Sequence, residues 1–130
     1  MDYCIRRLTA WAGRPRLYVC LELDGVQHFD PTYRLRVFGV PGRDERQIDI
    51  RKMLLCLQHG YSVVRLRSAR ISMTSPDAVG SWLTHQMARP FCSDASSPHV
   101  VLPRESEYEP VARDLQAADP SVHILFVDPL

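Results

Sequence analysis

Lysine is nearly absent. Lys52 is the only one, and every other one of the sixteen basic residues is arginine. Paired cysteines are absent too. Cys4, Cys20, Cys56 and Cys92 lie far apart with no CxxC among them, which argues against a zinc knuckle. Cys4, Cys20 and Cys56 sit among apolar neighbours, where a thiol packs as a small core group. No apolar run approaches membrane-spanning length, and no internal repeat or low-complexity tract interrupts the chain. No strong net charge is present either. The formal charge is +1, so no global basic field advertises nucleic acid. These absences predict a soluble, intracellular, reduced protein of the cytoplasm or nucleus, with no membrane partner.

What is present fits one domain over residues 1–130, with 45% hydrophobic residues to build a core. Charge is unevenly spread. Arginines crowd the first seventy residues, and Asp and Glu are enriched after residue 90. Residues 1–9 can form a strand, and a turn at Ala12-Gly13-Arg14-Pro15 leads to a better one over 16–23. Asp24-Gly25 signals a turn or bulge. Residues 27–47 are a long connection carrying Pro31, Gly39, Pro41 and Gly42, with a short strand expected over 34–40. A helix is expected over 44–59, where Ile50, Met53, Leu54 and Leu57 repeat at helical spacing, Asp44 can cap and Gly60 closes the end. Then come a strand over 61–66, a helix from Ser75-Pro76 to 88, and a polar loop over 90–98. A strand over 99–102, a helix over 107–118 and a strand over 122–127 complete the chain. The order predicts an α/β fold with a mixed central sheet flanked by helices. The last strand, if it is a sheet edge, could pair with a second copy to make a homodimer.

Chemistry concentrates in LELDGVQHF. Glu22 and Asp24 are two apart on a strand and share a face, while Leu21 and Leu23 point the other way. Two carboxylates at the end of a buried strand repel, and such a pair persists most readily around a divalent cation. Oxygen ligands favour Mg²⁺ or Mn²⁺ over zinc. Gln27 can orient a water or a phosphate oxygen, and His28 can act as acid or base near neutral pH. On the following helix Asp49 and Lys52 are i, i+3 neighbours on a face other than the apolar one. Each feature also has a plainer reading. Glu22 and Asp24 can be a solvated turn, Asp49 and Lys52 an exposed ion pair, Asp49 a charge near a helix start, and His28 a structural histidine.

Taken together, E22-x-D24-G25-x-Q27-H28, then D49-x-x-K52, then G60-Y61-S62-V63-V64-R65 resembles a branch of the PD-(D/E)XK nuclease superfamily. The branch is that of restriction-endonuclease-like proteins akin to very-short-patch-repair endonucleases, with small relatives in phages and large DNA viruses. The resemblance covers residues 16–71 and implies a restriction-endonuclease-like core, a DNA substrate and a Mg²⁺ or Mn²⁺ cofactor. It places Glu22 at the (D/E) position and puts Asp24 where lysine usually stands, so Lys52 becomes the candidate for the cationic role. Asp2, on the preceding strand, is carried over as a metal ligand beside Glu22 and Asp24. Hydrolysis is then expected at the scissile phosphate, with Gln27, Lys52 or His28 orienting the attacking water and Lys52 or an arginine meeting the developing charge. Arg34, Arg36, Arg43 and Arg46 in the long connection, and Arg65 and Arg67 after it, are the candidates for contacts to DNA phosphates, or else solvated surface. Two other readings stand beside the nuclease. One is a catalytically inactive protein of this fold that binds nucleic acid or a protein partner. The other is an unrelated α/β regulatory domain.

Overall fold

The computed structural model describes residues 3–5, 19–30, 32–39, 45–91 and 98–130, with the backbone alone for 3–5, 27 and 86–91. Among the described residues, five strands form one sheet in sequential order: β1 (Tyr3–Ile5), β2 (Val19–Asp24), β3 (Ser62–Arg67), β4 (His99–Pro103) and β5 (His123–Val127). β1 runs antiparallel to β2, while β2, β3, β4 and β5 are parallel. Helices α1 (Tyr33–Phe38) and α2 (Glu45–Gln58) lie between β2 and β3. α3 (Ser68–Ser72) and α4 (Pro76–Phe91) lie between β3 and β4, and α5 (Glu109–Ala118) between β4 and β5. The fold is mixed α/β, as the order of elements predicts.

Strand alternation divides the core in two. Val63, Val100 and Leu102 face α2 and α5, packing on Ile50, Met53, Val111 and Leu115. Cys20 joins them, and its sulfur lies 3.7 Å from that of Cys56 on α2. Val19, Val64, Leu66 and Val101 face the other way, onto Ile71 of α3 and Trp82 and Leu83 of α4. Trp82 carries a polar edge into this layer and donates Nε1–H to the carbonyl of Asp128 at 2.7 Å. The parallel strands advance in one direction, yet α4 crosses on the face opposite α2 and α5. Its crossover therefore has the opposite hand to the other two, a departure from the usual right-handed rule.

Most expected elements occupy their places with shifted ends, but the strand expected over 34–40 is not one of them: as far as Gly39, where the described residues stop, the chain instead forms helix α1, none of whose residues is buried. Local polar geometry favours the helix. Asp30 Oδ1 accepts from the backbone N–H and the hydroxyl of Thr32, at 2.9 and 2.8 Å, and fixes the entry. Gly39, at φ 66°, ends the helix. With no sheet neighbour, the exposed Leu35 and Val37 have no pleated surface to fit. The expected helix over 107–118 is a 3-10 turn (Ser106–Tyr108) followed by α5, with Pro110 in its first turn. α4 continues to Phe91, into the region expected as loop. Ser75 accepts from the Ala78 N–H at 3.3 Å, as expected of a cap. Asp44 and the turn at 12–15 lie outside the described residues.

α2 ends as its glycine suggests. Gly60 sits at φ 80°, and the Tyr61 N–H reaches back to the Cys56 carbonyl at 2.9 Å, closing the last turn. No atom lies within 4 Å of where a Cβ would be, so the cost of a side chain there is conformational rather than steric. Gly60→Ala is expected to lower stability by about 1–2 kcal/mol in urea unfolding. Gly60→Asn should cost less, because asparagine tolerates this conformation.

Candidate active site

The site lies at the C-terminal ends of β2 and β3, where open parallel sheets place ligands. β2 delivers Glu22 and Asp24 to the face that packs on α2 and α5. Parallel register sets Glu22 beside Arg65 and Asp24 beside Arg67. Glu22 is 4% exposed, Asp24 2% and Arg65 1%. α2 adds Asp49, also buried, from the side facing the sheet. Glu22, Asp24 and Asp49 thus converge, and Arg65 lies at their centre.

Arg65 donates through Nε to Asp24 Oδ2 at 2.9 Å and through Nη2 to Asp24 Oδ1. The same Nη2 stands 3.1 Å from Asp49 Oδ2, and Nη1 stands 3.5 Å from Glu22 Oε2. Tyr108, wholly buried at the entry to α5, donates its hydroxyl to Asp24 Oδ2 at 2.8 Å. Phe29 packs edge-on against the Tyr108 ring at 5.1 Å, and the Arg67 guanidinium lies over Phe29 at 5.9 Å. Ser68 Oγ donates to the Asp24 carbonyl at 3.1 Å and ties β3's exit to β2's end. Burial alone would push protons off Arg65, but the hydrogen bond and charge of Asp24, with Asp49 and Glu22 behind it, more than offset this and hold it protonated. Burial and the neighbouring Asp24 charge raise the Tyr108 hydroxyl, so it stays a donor.

His28 and Lys52 stand nearer the surface. His28 ends a short 3-10 turn (Val26–His28), and its Nδ1 lies 2.6 Å from Asp49 Oδ2 and 3.9 Å from Asp24 Oδ1. Nδ1 directed at a carboxylate leaves Nε2 as the nitrogen for proton exchange. Lys52 is 44% exposed along its side chain, and its Nζ lies 4.0 Å from Glu22 Oε1. The hydrogen bond to Asp49 raises the His28 pKa above 6.5 against the opposing effect of burial. Burial pushes Asp49 up, but His28 and Arg65 outweigh it and hold Asp49 below 3.8.

These shifts set a pH window for stability. His28 binds its proton more tightly folded than unfolded, so its contribution is full below about pH 6.5 and is lost as pH rises through its raised folded pKa. Asp49 acts oppositely: its contribution is present above 3.8 and is lost as pH falls through its lowered folded value. Urea unfolding between pH 6 and 9 is expected to show declining stability, and His28→Asn should flatten that slope. An unchanged slope in the variant would remove the His28–Asp49 pair as its source.

The expected residues fare differently. Glu22, Asp24, His28, Asp49 and Lys52 come together. Asp49 is not the exposed partner of Lys52 or helix-start charge of the plainer reading but a buried acid bonded to His28 and close to Arg65. Arg65 and Tyr108 take both oxygens of Asp24, an expected metal ligand. Arg65 is a correction. A guanidinium this buried offers DNA no contact. Arg67 pairs with Glu107 at 3.1 Å and lies 3.5 Å from Glu105. Arg36 pairs with Asp30 at 2.7 Å, whereas Arg34 and Arg46 lie 3.7 Å from Glu45 and Asp114. Asp2, Arg43 and the Gln27 side chain lie outside the described residues. Tyr108 is a site residue that the sequence reading does not single out. Its one available signal was that a buried tyrosine hydroxyl needs an acceptor.

The fold and site define an α/β domain with a buried carboxylate–guanidinium cluster at the C-terminal end of its sheet. Comparisons with protein-family profiles, curated proteins and solved structures returned no match.

Proposed function

We propose that this chain is a metal-dependent endodeoxyribonuclease that hydrolyses phosphodiester bonds in DNA. The observation that carries the reading is the approach of the one lysine to the buried acids, with Lys52 Nζ 4.0 Å from Glu22 Oε1. A half-exposed ammonium beside a buried carboxylate, next to a carboxylate-oriented histidine, suits an anionic substrate at the rim. The sequence resemblance assigns the same residues.

Among the described residues, no group of three or more His, Cys, Asp or Glu is arranged to hold a metal ion. The donor chemistry nonetheless fits Mg²⁺ or Mn²⁺. Three buried carboxylates offer oxygen donors of the kind these ions take, while Arg65 reaches all three and Lys52 and His28 stand beside Glu22 and Asp49. Mg²⁺ is commonly held by only one or two carboxylates, with waters and a phosphate completing its shell. Glu22 and Asp49 are the residues to hold it, since Asp24 is committed to Arg65 and Tyr108. The bound ion would supply Lewis-acid polarisation of the phosphoryl oxygen. The chain's own groups do the rest. Lys52 neutralises charge on a phosphate oxygen at the rim. His28, oriented by Asp49, exchanges a proton with the attacking water or the leaving oxygen. Arg34, Arg36 and Arg46 hold surface ion pairs, weak enough for a phosphate to replace the carboxylate.

A second reading, an inactive protein of this type that binds nucleic acid or a partner, is favoured by one observation: both Asp24 oxygens are already hydrogen-bonded. Supercoiled plasmid with Mg²⁺ or Mn²⁺ separates the two. Nicking by the wild type and none by Glu22→Ala is the expected result. Equal nicking by both would remove the site assignment. No nicking, with a salt-dependent gel shift of DNA, would favour the second reading.

A further inference from the structure

We infer that Cys20 and Cys56 form a redox modification site, a thiol pair that closes to a reversible disulfide and clamps β2 to α2. The inference draws on geometry outside the acid cluster and holds whether or not the chain cuts DNA.

The two cysteines lie 36 positions apart in the chain, yet their sulfurs stand 3.7 Å apart, with the Cys56 thiol donating to the Cys20 sulfur. Both are half-buried, so neither is sealed from a small reagent. A disulfide needs about 2.05 Å between its sulfurs, a gap that side-chain rotation and a small approach of α2 can close. Packing alone asks only for a small apolar side chain at each position and does not require sulfur to face sulfur.

The place of the pair in the fold gives the bond a consequence. Cys20, Glu22 and Asp24 alternate onto one face of β2. Asp49, Lys52 and Cys56 follow one stripe of α2, at i, i+3 and i+7. The strand and the helix run in opposite directions along this seam. Glu22 meets Lys52 at 4.0 Å, and Cys20 meets Cys56 one step further from the C-terminal end of β2. The thiols therefore join the same two elements that carry Glu22, Asp24 and Asp49.

The oxidant is a small disulfide of the glutathione class. The thiolate of one cysteine attacks a sulfur of the reagent, breaks its S–S bond and releases one thiolate, leaving a mixed disulfide. The thiolate of the other cysteine attacks the protein sulfur of that mixed disulfide, displaces the second small thiolate and forms the Cys20–Cys56 bond. The cysteines lose two electrons and two protons, and the reagent leaves as two thiols carrying them.

Oxidised glutathione added to the folded protein, followed by alkylation of the remaining thiols and peptide mass mapping, tests this. The expected product is a Cys20–Cys56 cross-link, lighter than the two thiols by about 2 Da and reversed by dithiothreitol. In urea the oxidised protein should unfold at a higher midpoint than the reduced one, because the bond closes a long loop in the unfolded chain. Amide exchange along α2 should slow. Cys20→Ser and Cys56→Ser should each abolish the cross-link and the midpoint rise, whereas Cys4→Ser and Cys92→Ser should keep both. Cys4 is the competing partner, since it stands opposite Cys20 in the β1–β2 register. A cross-link to Cys4 in place of Cys56, mixed disulfides that go no further, or no reaction in the folded protein while the same thiols react in urea would overturn the inference. A Cys20–Cys56 cross-link that lowers the midpoint, or leaves α2 exchange unchanged, would overturn the clamp. Mapping on the wild type decides the pairing even if a serine variant does not fold. Plasmid nicking by the reduced protein enters none of these readouts, so failure here and failure of the nuclease reading are separate results.

Discussion

Replacing Arg65 by methionine is expected to lower the free energy of unfolding by about 3–5 kcal/mol, the cost of stripping one partner from a buried ion network. Methionine retains most of the apolar stem, so the loss reports the charge more than the packing. What remains is Glu22, Asp24 and Asp49 buried around a hole, with the Tyr108 hydroxyl still bonded to Asp24. The deficit should narrow as the solution is acidified, because a protonated carboxyl no longer needs a counter-ion. Adding Asp24→Asn to Arg65→Met should recover part of the loss by removing one of the stranded charges. Arg65→Lys should fall between wild type and Arg65→Met, since an ammonium cannot reproduce the two-point contact with Asp24. Urea unfolding at pH 7 and pH 5 checks all of this. A loss below about 1 kcal/mol for Arg65→Met would mean that the three acids do not depend on the guanidinium.

The burial of Arg65 has no local signature in the sequence. Within Ser62-Val63-Val64-Arg65-Leu66-Arg67 this residue looks like one of two alternating arginines on the way out of a strand. β3 is in fact a central strand covered on both faces, where a charged residue must find partners inside the protein. Its partners come from β2 and α2, and the register that sets Glu22 opposite Arg65 is a property of two strands some forty residues apart. Periodicity reads one element at a time and carries no such register. The shared face of Glu22 and Asp24 was legible because a two-residue period is local. Lys52 was legible because it is the only lysine and arrives on a helix packed against β2. Asp49 was half legible. Its helix was expected, but its burial turns on how far α2 rotates about its axis, and that is settled by Ile50, Met53 and Tyr108 together. Tyr108 comes from the far end of the chain, and only the closing of α5 over the sheet brings its hydroxyl to Asp24. Helix α1, where a short strand is expected, has a different origin: a local polar turn at Asp30 and Thr32 fixes its entry, and its residues have no sheet neighbour to join.

Lys52→Met should separate stability from chemistry in the opposite sense to Arg65. Lys52 is nearly half exposed and stands 4.0 Å from Glu22, a geometry worth less than about 1 kcal/mol to folding. Its value to the proposed reaction is larger, because charge develops on the phosphate where the ammonium waits. Loss of one such stabilising group typically lowers turnover by about 10²–10³-fold. Plasmid nicking by Lys52→Met is therefore expected to fall by that factor while its urea midpoint stays close to wild type. Lys52→Arg should restore charge but place it on a longer, planar head, recovering little activity. The double variant Lys52→Met/Glu22→Gln should be no slower than the slower single variant, since the two side chains act on the same phosphate as a unit. Additive losses would instead assign them to separate steps. Undiminished nicking by Lys52→Met would take from the proposed function the observation on which it rests.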